Sequence, residues 1–536
     1  MNFERSEYNQ ITREYLTTLG LNRVIEMCLA LREDAVAFAD FVNLNPSNSS
    51  RPPSSRTPWD RSITPDDQTD LNEKNEEKKP SDDAESDKRS TSSDNDKPIP
   101  PTPPKVKPKR KPGKQKGAKG FGRTQQLIIT HTQIHRPECC KGCGKILDST
   151  VIFNPKGGHI SIDLKFPEIG TVDMQGSVTK HIYGSSLCYC GFETTTKPHR
   201  VEKEAGWTVE MGEWKLIGPT LQAFLVFLKL RMHMTLSKSR DLLKIWLGIS
   251  LSDGCINQAL REAGRASSSL EPEIVAALKA AGILFVDETS WKEQKVTRWA
   301  WVAVGEYVVY YAIGSRTKEM AEKILSGFGG TLMTDGYKAY RFFENRLRCW
   351  AHLIRKSKAL EESCDKAAAT FGKMAHGSLK NLQDHIYKMR ELPLEECLPE
   401  KEKASKEKDV FLKACMMELI TPTHDQSRAF AGEIVNDYEV IFKQVDNPEF
   451  ALTNNRAEQE FRWMVLMRKM SHGSKTSEGS NSIASLASVM GTLLVRGLDP
   501  WQFFPNLFCL RRSGMPPPIL PIPLLNLNSS IKPLAL

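Results

Sequence analysis

Gly282-Ile283-Leu284-Phe285-Val286-Asp287-Glu288-Thr289 and Gly330-Thr331-Leu332-Met333-Thr334-Asp335-Gly336 decide the fold. Each is a short apolar run that ends on an aspartate. Runs of this length, bounded by glycine and charge, read as buried strands. A carboxylate at the carboxyl end of such a strand is costly to bury, and it faces the crevice where α/β folds take ligands. Alone, either aspartate is an ordinary turn or capping residue. On strands that are parallel neighbours, Asp287 and Asp335 become two close anions that need a cation between them. Mg²⁺ (or Mn²⁺) suits that place, because both ions prefer oxygen ligands.

Outward from these runs the pattern continues. Trp299–Val304 and Tyr307–Ile313 read as strands, Thr317–Ser326 as a helix, and Leu347–Trp350 as a strand leading into a helix. Three strands, a helix, a strand and a further strand is the order of a ribonuclease-H-like α/β core. Residues 281–355 would form its first part. Residues 356–445 are charged and helical, with Pro393 and Pro399 marking a break, and read as a helical insertion. Residues 446–512 would complete the core and carry Glu458 on a helix; 513–536 is a proline-rich tail.

Upstream, residues 205–280 read as helical. Ser237–Trp246, a turn with Gly248, and Ser252–Ala263 have the pattern of a helix-turn-helix, a pattern that compact helical bundles share. Residues 123–204 look like short strands around two cysteine pairs. Residues 45–122 have almost no large apolar side chains and cannot offset the entropy of ordering, so a disordered linker is expected. It is acidic at first and then basic at Lys107, Lys109, Arg110 and Lys111, an extended arm that either tracks DNA phosphates or serves as a solvated spacer. Residues 1–44 form an N-terminal helical segment, suited to oligomerisation or to packing on its own chain.

The net charge of +9 over 536 residues is mild, so the clustering of basic residues matters more than their sum. With neither a secretory leader pattern nor a long apolar run, a cytoplasmic location is expected, with no membrane partner. In that compartment close cysteine pairs read as metal ligands rather than disulfides. Cys140-Lys141-Gly142-Cys143 is a knuckle of the kind that wraps Zn²⁺, and Cys188-Tyr189-Cys190 supplies a second, tighter pair. Cys349-Trp350-Ala351-His352 has metal-ligand spacing but no evident second pair, which favours a structural role at the strand end. Glu458 begins a helix, a favourable place for any acidic residue, and Arg462 lies four residues on along the same face.

Taken together and in order, these pieces resemble transposases of the insertion-sequence-66 family. The resemblance rests on the Asn45–Ser55 stretch, the cysteine pairs, Asp287-Glu288-Thr289, Thr334-Asp335-Gly336-Tyr337, Cys349–His352, Asn454-Asn455-Arg456-Ala457-Glu458, Arg468-Lys469 and Gly473-Ser474. It covers nearly the whole chain. It implies Mg²⁺-dependent strand cleavage and transfer at the ends of a mobile element, and it selects Glu458 as the third acidic residue beside Asp287 and Asp335. The basic residues assigned to DNA are then Lys107, Lys109, Arg110, Lys111, Arg462, Arg468 and Lys469. Expected partners are element ends, target DNA, further copies of the chain and accessory proteins of the same element. Two other functions compete. A catalytically inactive DNA-binding derivative of a transposase would retain the carboxylates without activity. A glycosidase-like hydrolase would leave the cysteine pairs and the basic arm unexplained.

Overall fold

In a computed structural model of the chain, the described residues are 127–165, 175–197 and 216–522 apart from 295, with scattered helical positions between 23 and 40. The chain divides into two units, Met1–Ser55 with Leu127–Leu536, and Arg56–Gln126. Everything described belongs to the first. The linker and the basic arm with Lys107, Lys109, Arg110 and Lys111 lie outside the described residues.

A small sheet comes first. It is built from β1 (His131–His135), β2 (Phe153–Leu164), β3 (Gly176–Leu187) and β4 (Glu193–Thr195). β3 lies at its centre, parallel to β1 and antiparallel to β2 and β4. The end of β2 is tied to the next helix: Leu221 N–H donates to Asp163 Oδ1 at 2.7 Å, and Gly218 N–H to the Ile162 carbonyl at 2.7 Å. That helix, α1 (Pro219–Leu230), starts on proline, whose missing N–H costs nothing in a first turn. Then come α2 (Leu236–Leu247), α3 (Asp253–Ser268) and α4 (Glu271–Lys279). Thr235 and Ser252 cap α2 and α3 through their side chains, and Gly248 turns between them at φ +64°. This is the helix-turn-helix pattern seen in the sequence. However, α3 buries Ile256, Ala259, Ala263 and Ala266 and leaves Asn257 and Gln258 near its start exposed.

The central sheet follows: β5 (Ile283–Glu293), β6 (Val296–Val304), β7 (Val309–Gly314), α5 (Lys318–Ile324), β8 (Thr331–Thr334) and β9 (Arg346–Arg348). Its order is β7-β6-β5-β8-β9. The β5–β6 and β6–β7 pairs are antiparallel, and β5–β8 and β8–β9 are parallel. The central strands are covered on both faces, which is why Leu284-Phe285-Val286 and Trp301-Val302-Ala303-Val304 read as continuous apolar runs. Two sequence expectations need correction. Asp287 does not end its strand, because β5 continues in register with β6 to the Glu293–Val296 pair. The strand expected at Leu347–Trp350 stops at Arg348, and Trp350 opens α6 (Trp350–Glu361).

After α6 come α7 (Lys366–Glu391), α8 (Leu394–Ile420), α9 (Asp425–Asn436) and α10 (Tyr438–Asp446), a helical lobe with its own core around Leu379, Leu382, Phe411 and Ile441. Pro393 does mark a break, as expected; Pro399 does not, and sits inside α8. The carbonyl it leaves unpaired falls in the first turn, where Glu395 is exposed and water can serve it. The two ends of the lobe meet: Trp350 N–H donates to the Leu452 carbonyl at 2.8 Å. The chain then returns to the sheet as α11 (Asn455–Ser471), α12 (Ser477–Val495) and α13 (Pro500–Arg512). α12 lies against β7, where Thr492 and Ser488 accept the Val309 and Tyr311 amides.

Candidate active site

The last paired positions of β5 and β8 are Phe285 and Met333. Two residues on stand Asp287, within β5, and Asp335, just past the end of β8, so parallel register brings the two carboxylates to neighbouring positions. Asp335 accepts the Tyr337 amide at 2.9 Å across a turn made by Gly336 at φ +101°. Asp287 accepts the Glu288 amide at 2.9 Å. Burial pushes the Asp287 carboxyl well above the usual range, and the charges of Asp335, Glu288 and Glu458 push it further. Glu458, in the first turn of α11, thus adds its charge to the surroundings of Asp287. The head of α11 is fastened by Asn454, fully buried, whose Nδ2 donates to the Val286 carbonyl at 2.8 Å. Glu458 Oε1 lies 3.5 Å from Arg355 and 3.9 Å from His352 Nδ1. Glu460, the nearest alternative on α11, is engaged elsewhere: Tyr311 Oη donates to its carbonyl at 2.9 Å and to its carboxylate at 3.2 Å.

The two cysteine pairs also converge. Cys140 Sγ lies 3.6 Å from Cys190 Sγ, and Cys143 Sγ lies 3.6 Å from Cys188 Sγ. All four sulfurs fall within 4.8 Å of one another. A tetrahedron of sulfurs around an ion at about 2.3 Å has edges of about 3.8 Å, so the spacing fits one ion. Gly144 and Gly191, at φ +74° and +84°, turn the chain back after each pair. The Cys143 amide, opposed by burial and helped by the Gly142 amide, draws the Cys140 thiol down to about 6, the direction a ligand needs. Cys139 is exposed and stays outside the cluster.

A model of the transposase IS66 family matches residues 215–482, half of the chain, and that stretch contains Asp287, Asp335 and Glu458. The chain belongs to the IS66 transposase family. It is also 23% identical over 304 residues to an uncharacterized protein, y4qI, of Sinorhizobium fredii (strain NBRC 101917 / NGR234). That alignment covers 50% of this chain and 55% of the relative, so the chain spans about half the length of the curated relative it matches.

The packing around these carboxylates gives several residues partners that the sequence alone does not show. Glu288 looks like a neighbour of Asp287 with no task, yet its side chain is buried and ion-paired to Arg316 at 2.8 Å, and it accepts Tyr340 Oη at 2.9 Å. Burial, then Asp335, raise Glu288 to about 7, while Arg316 and Tyr340 hold it back. Arg316 is itself sandwiched between the Trp299 and Tyr337 rings, 4.1 Å from each. The tie of Asn454 to Val286 and the place of Arg355 beside Glu458 emerge only once the helices are packed, although Asn454 itself stands in the Asn454–Glu458 motif. Of the basic residues assigned to DNA, Arg462 and Lys469 are exposed on α11. Glu458 faces Arg355 rather than Arg462. Arg468 donates to the Ser290 carbonyl and hydroxyl and to Thr289 Oγ1, joining α11 to β5. Trp350 is fully buried and its indole N–H donates to the Ile441 carbonyl at 2.9 Å, so it is a core residue. No helix among the described residues is long and apolar enough to cross a membrane.

Proposed function

We propose that this chain is a DNA strand transferase that cuts and rejoins phosphodiester bonds at the ends of a bacterial insertion sequence, using Asp287, Asp335 and Glu458 as ligands for Mg²⁺ or Mn²⁺. One observation carries the reading: the parallel register of β5 and β8 sets Asp287 and Asp335 at neighbouring positions, and Glu458 at the head of α11 adds its charge beside the buried Asp287, a grouping that a bound cation would relieve. The strand order and directions support a ribonuclease-H-like core. Two divalent ions in such a site would activate the attacking oxygen and stabilise the leaving one. The chain's own part is positional. Asn454 holds the helix bearing Glu458 against β5, the Gly336 turn presents Asp335, and Arg316, clamped by two rings, neutralises Glu288 beside the ligands. In the cysteine module Cys140, Cys143, Cys188 and Cys190 would hold a structural Zn²⁺. The Lys107–Lys111 arm with exposed Arg462 and Lys469 would supply phosphate contacts, while Arg468 is spent on β5. Action on paired ends would engage further copies of the chain and accessory proteins, in the bacterial cytoplasm.

The experiment is cleavage and joining of labelled element ends, titrated with Mg²⁺ and Mn²⁺. Asp287→Asn, Asp335→Asn and Glu458→Gln should each abolish both steps, with binding of the ends retained because docking and metal ligation use different groups. Wild-type protein that binds ends but cleaves none would instead mark a DNA-binding derivative. Near-normal cleavage by Asp287→Asn or Asp335→Asn would overturn the mechanism.

A further inference from the structure

The Cys-x-x-His sequence lacks a second pair, but the fold supplies another ligand. Among the described residues, two groups of three or more His, Cys, Asp or Glu side chains bring their ligand atoms within 4.8 Å of one another. One is the four-cysteine cluster. The other is Cys349, His352 and Glu458; the Asp287, Asp335 and Glu458 set is not drawn in so tightly. We propose that Cys349, His352 and Glu458 form a second metal-ion site, for a borderline ion of the zinc class, at the junction of β9, α6 and α11.

The geometry argues this from three sides. Cys349 is the N-cap of α6 and His352 lies in its first turn, so the pair projects from one helix start. Cys349 is fully buried, and its sulfur accepts the Asn454 amide at 3.2 Å. Burial pushes the Cys349 thiol up to about 11, so a bound ion would have to displace its proton. His352 Nδ1 is buried without a hydrogen-bond partner among the described residues, with its side chain 13% exposed. The atom nearest to pairing with it, Glu458 Oε1, stands at 3.9 Å, beyond hydrogen-bond reach and suited to two ligands of one ion. Arg355, at 3.5 Å from Glu458, is the competing cation. One thiol, one imidazole and one carboxylate make a donor set for Zn²⁺ with a fourth position open, whereas Mg²⁺ would reject the sulfur.

The proposal rests on the reading of Glu458 as a ligand of the reaction's ions, because the same carboxylate would then serve both sites, one oxygen toward His352 and the other toward the aspartates. An ion here would lock the start of α11 onto the strand end beside Asp335, and its loss would leave Glu458 to Arg355.

The test uses full-length protein, stripped with a chelator, reloaded with Zn²⁺ alone and analysed for metal per chain. Cys349→Ser and His352→Gln should each bind one ion fewer than wild type, whatever the four-cysteine cluster retains. Loading with Co²⁺ gives a second readout: Cys349→Ser should lose part of the sulfur-to-cobalt absorption. If Cys349→Ser fails to fold, the His352→Gln count decides. An unchanged count in His352→Gln, or in folded Cys349→Ser, overturns the proposal. Asp287→Asn separates the two readings. It should lose cleavage and keep the wild-type zinc count, so retained cleavage would sink the active-site assignment alone.

Discussion

Arg348 shows how much of this site depends on a single side chain. Only 1% exposed, it pairs with Asp437 at 2.8 Å and with Glu433, both from the helical lobe. Arg346 joins Asp437 at 3.0 Å. A Cβ on Gly336 would fall on the Arg348 guanidinium, so the glycine beside Asp335 is required both by its positive φ and by this neighbour. Removing one partner of a buried pair leaves the other charge stranded. We therefore expect Asp437→Ala to lower stability by about 3–5 kcal/mol in urea unfolding; a loss under about 1 kcal/mol would show that the pair is solvated after all. At this scale the sequence was half legible. Asp287 and Asp335 stood out because a carboxylate follows an apolar run. Nothing in Arg346-Leu347-Arg348 tells that Arg348 is buried and Arg346 half-buried, because their partners arrive some ninety positions later.

Among the elements, β5 was misjudged for a physical reason. Thr289, Ser290, Lys292 and Glu293 look like an exit into a loop, yet they pair with β6 around a tight turn with Gln294 at φ +55°. Hairpins usually announce such a turn with glycine or asparagine, and here neither is present. The helices were legible from period and caps, but which of them touch was not. α3 and α12 approach closely at Gly264, where a Cβ would collide with Ser482, and Arg265 pairs with Glu478 of α12 at 3.0 Å alongside. Gly264→Leu should separate the two helices and cost about 1–3 kcal/mol by overpacking, read as a lowered Tm. An unchanged Tm would mean that the contact is slack.

For the molecule as a whole, the cysteine module stands apart in how little core it has. The knuckle that carries the two cysteine pairs has a buried cluster of only Cys140, Leu147, Val151 and Cys188, too small to hold its turns by burial alone, whereas β2 reaches the main core through Ile162 and Leu164. A metal would supply the difference, since binding free energy at such a site is folding free energy. Chelation should therefore raise amide exchange across 136–151 and 187–195 while β5–β9 stay protected. Equal protection before and after chelation would show that the module folds without an ion. That the two pairs belong together was legible from spacing; that strands pair in the order β1-β3-β2 around them was not, because β1 joins β3 across a long connection.

The meeting of the lobe's two ends at Trp350 and Leu452 has a consequence for how the molecule assembles. Bringing Asp335 and Glu458 together from an open chain means closing a loop of more than a hundred residues, an entropic cost on the order of 4 kcal/mol. A lobe that folds on its own core and pins its own ends absorbs that closure before α11 meets the sheet. The insertion thereby shortens the search that Glu458 must make, and its length can vary while the distance between the carboxylates does not.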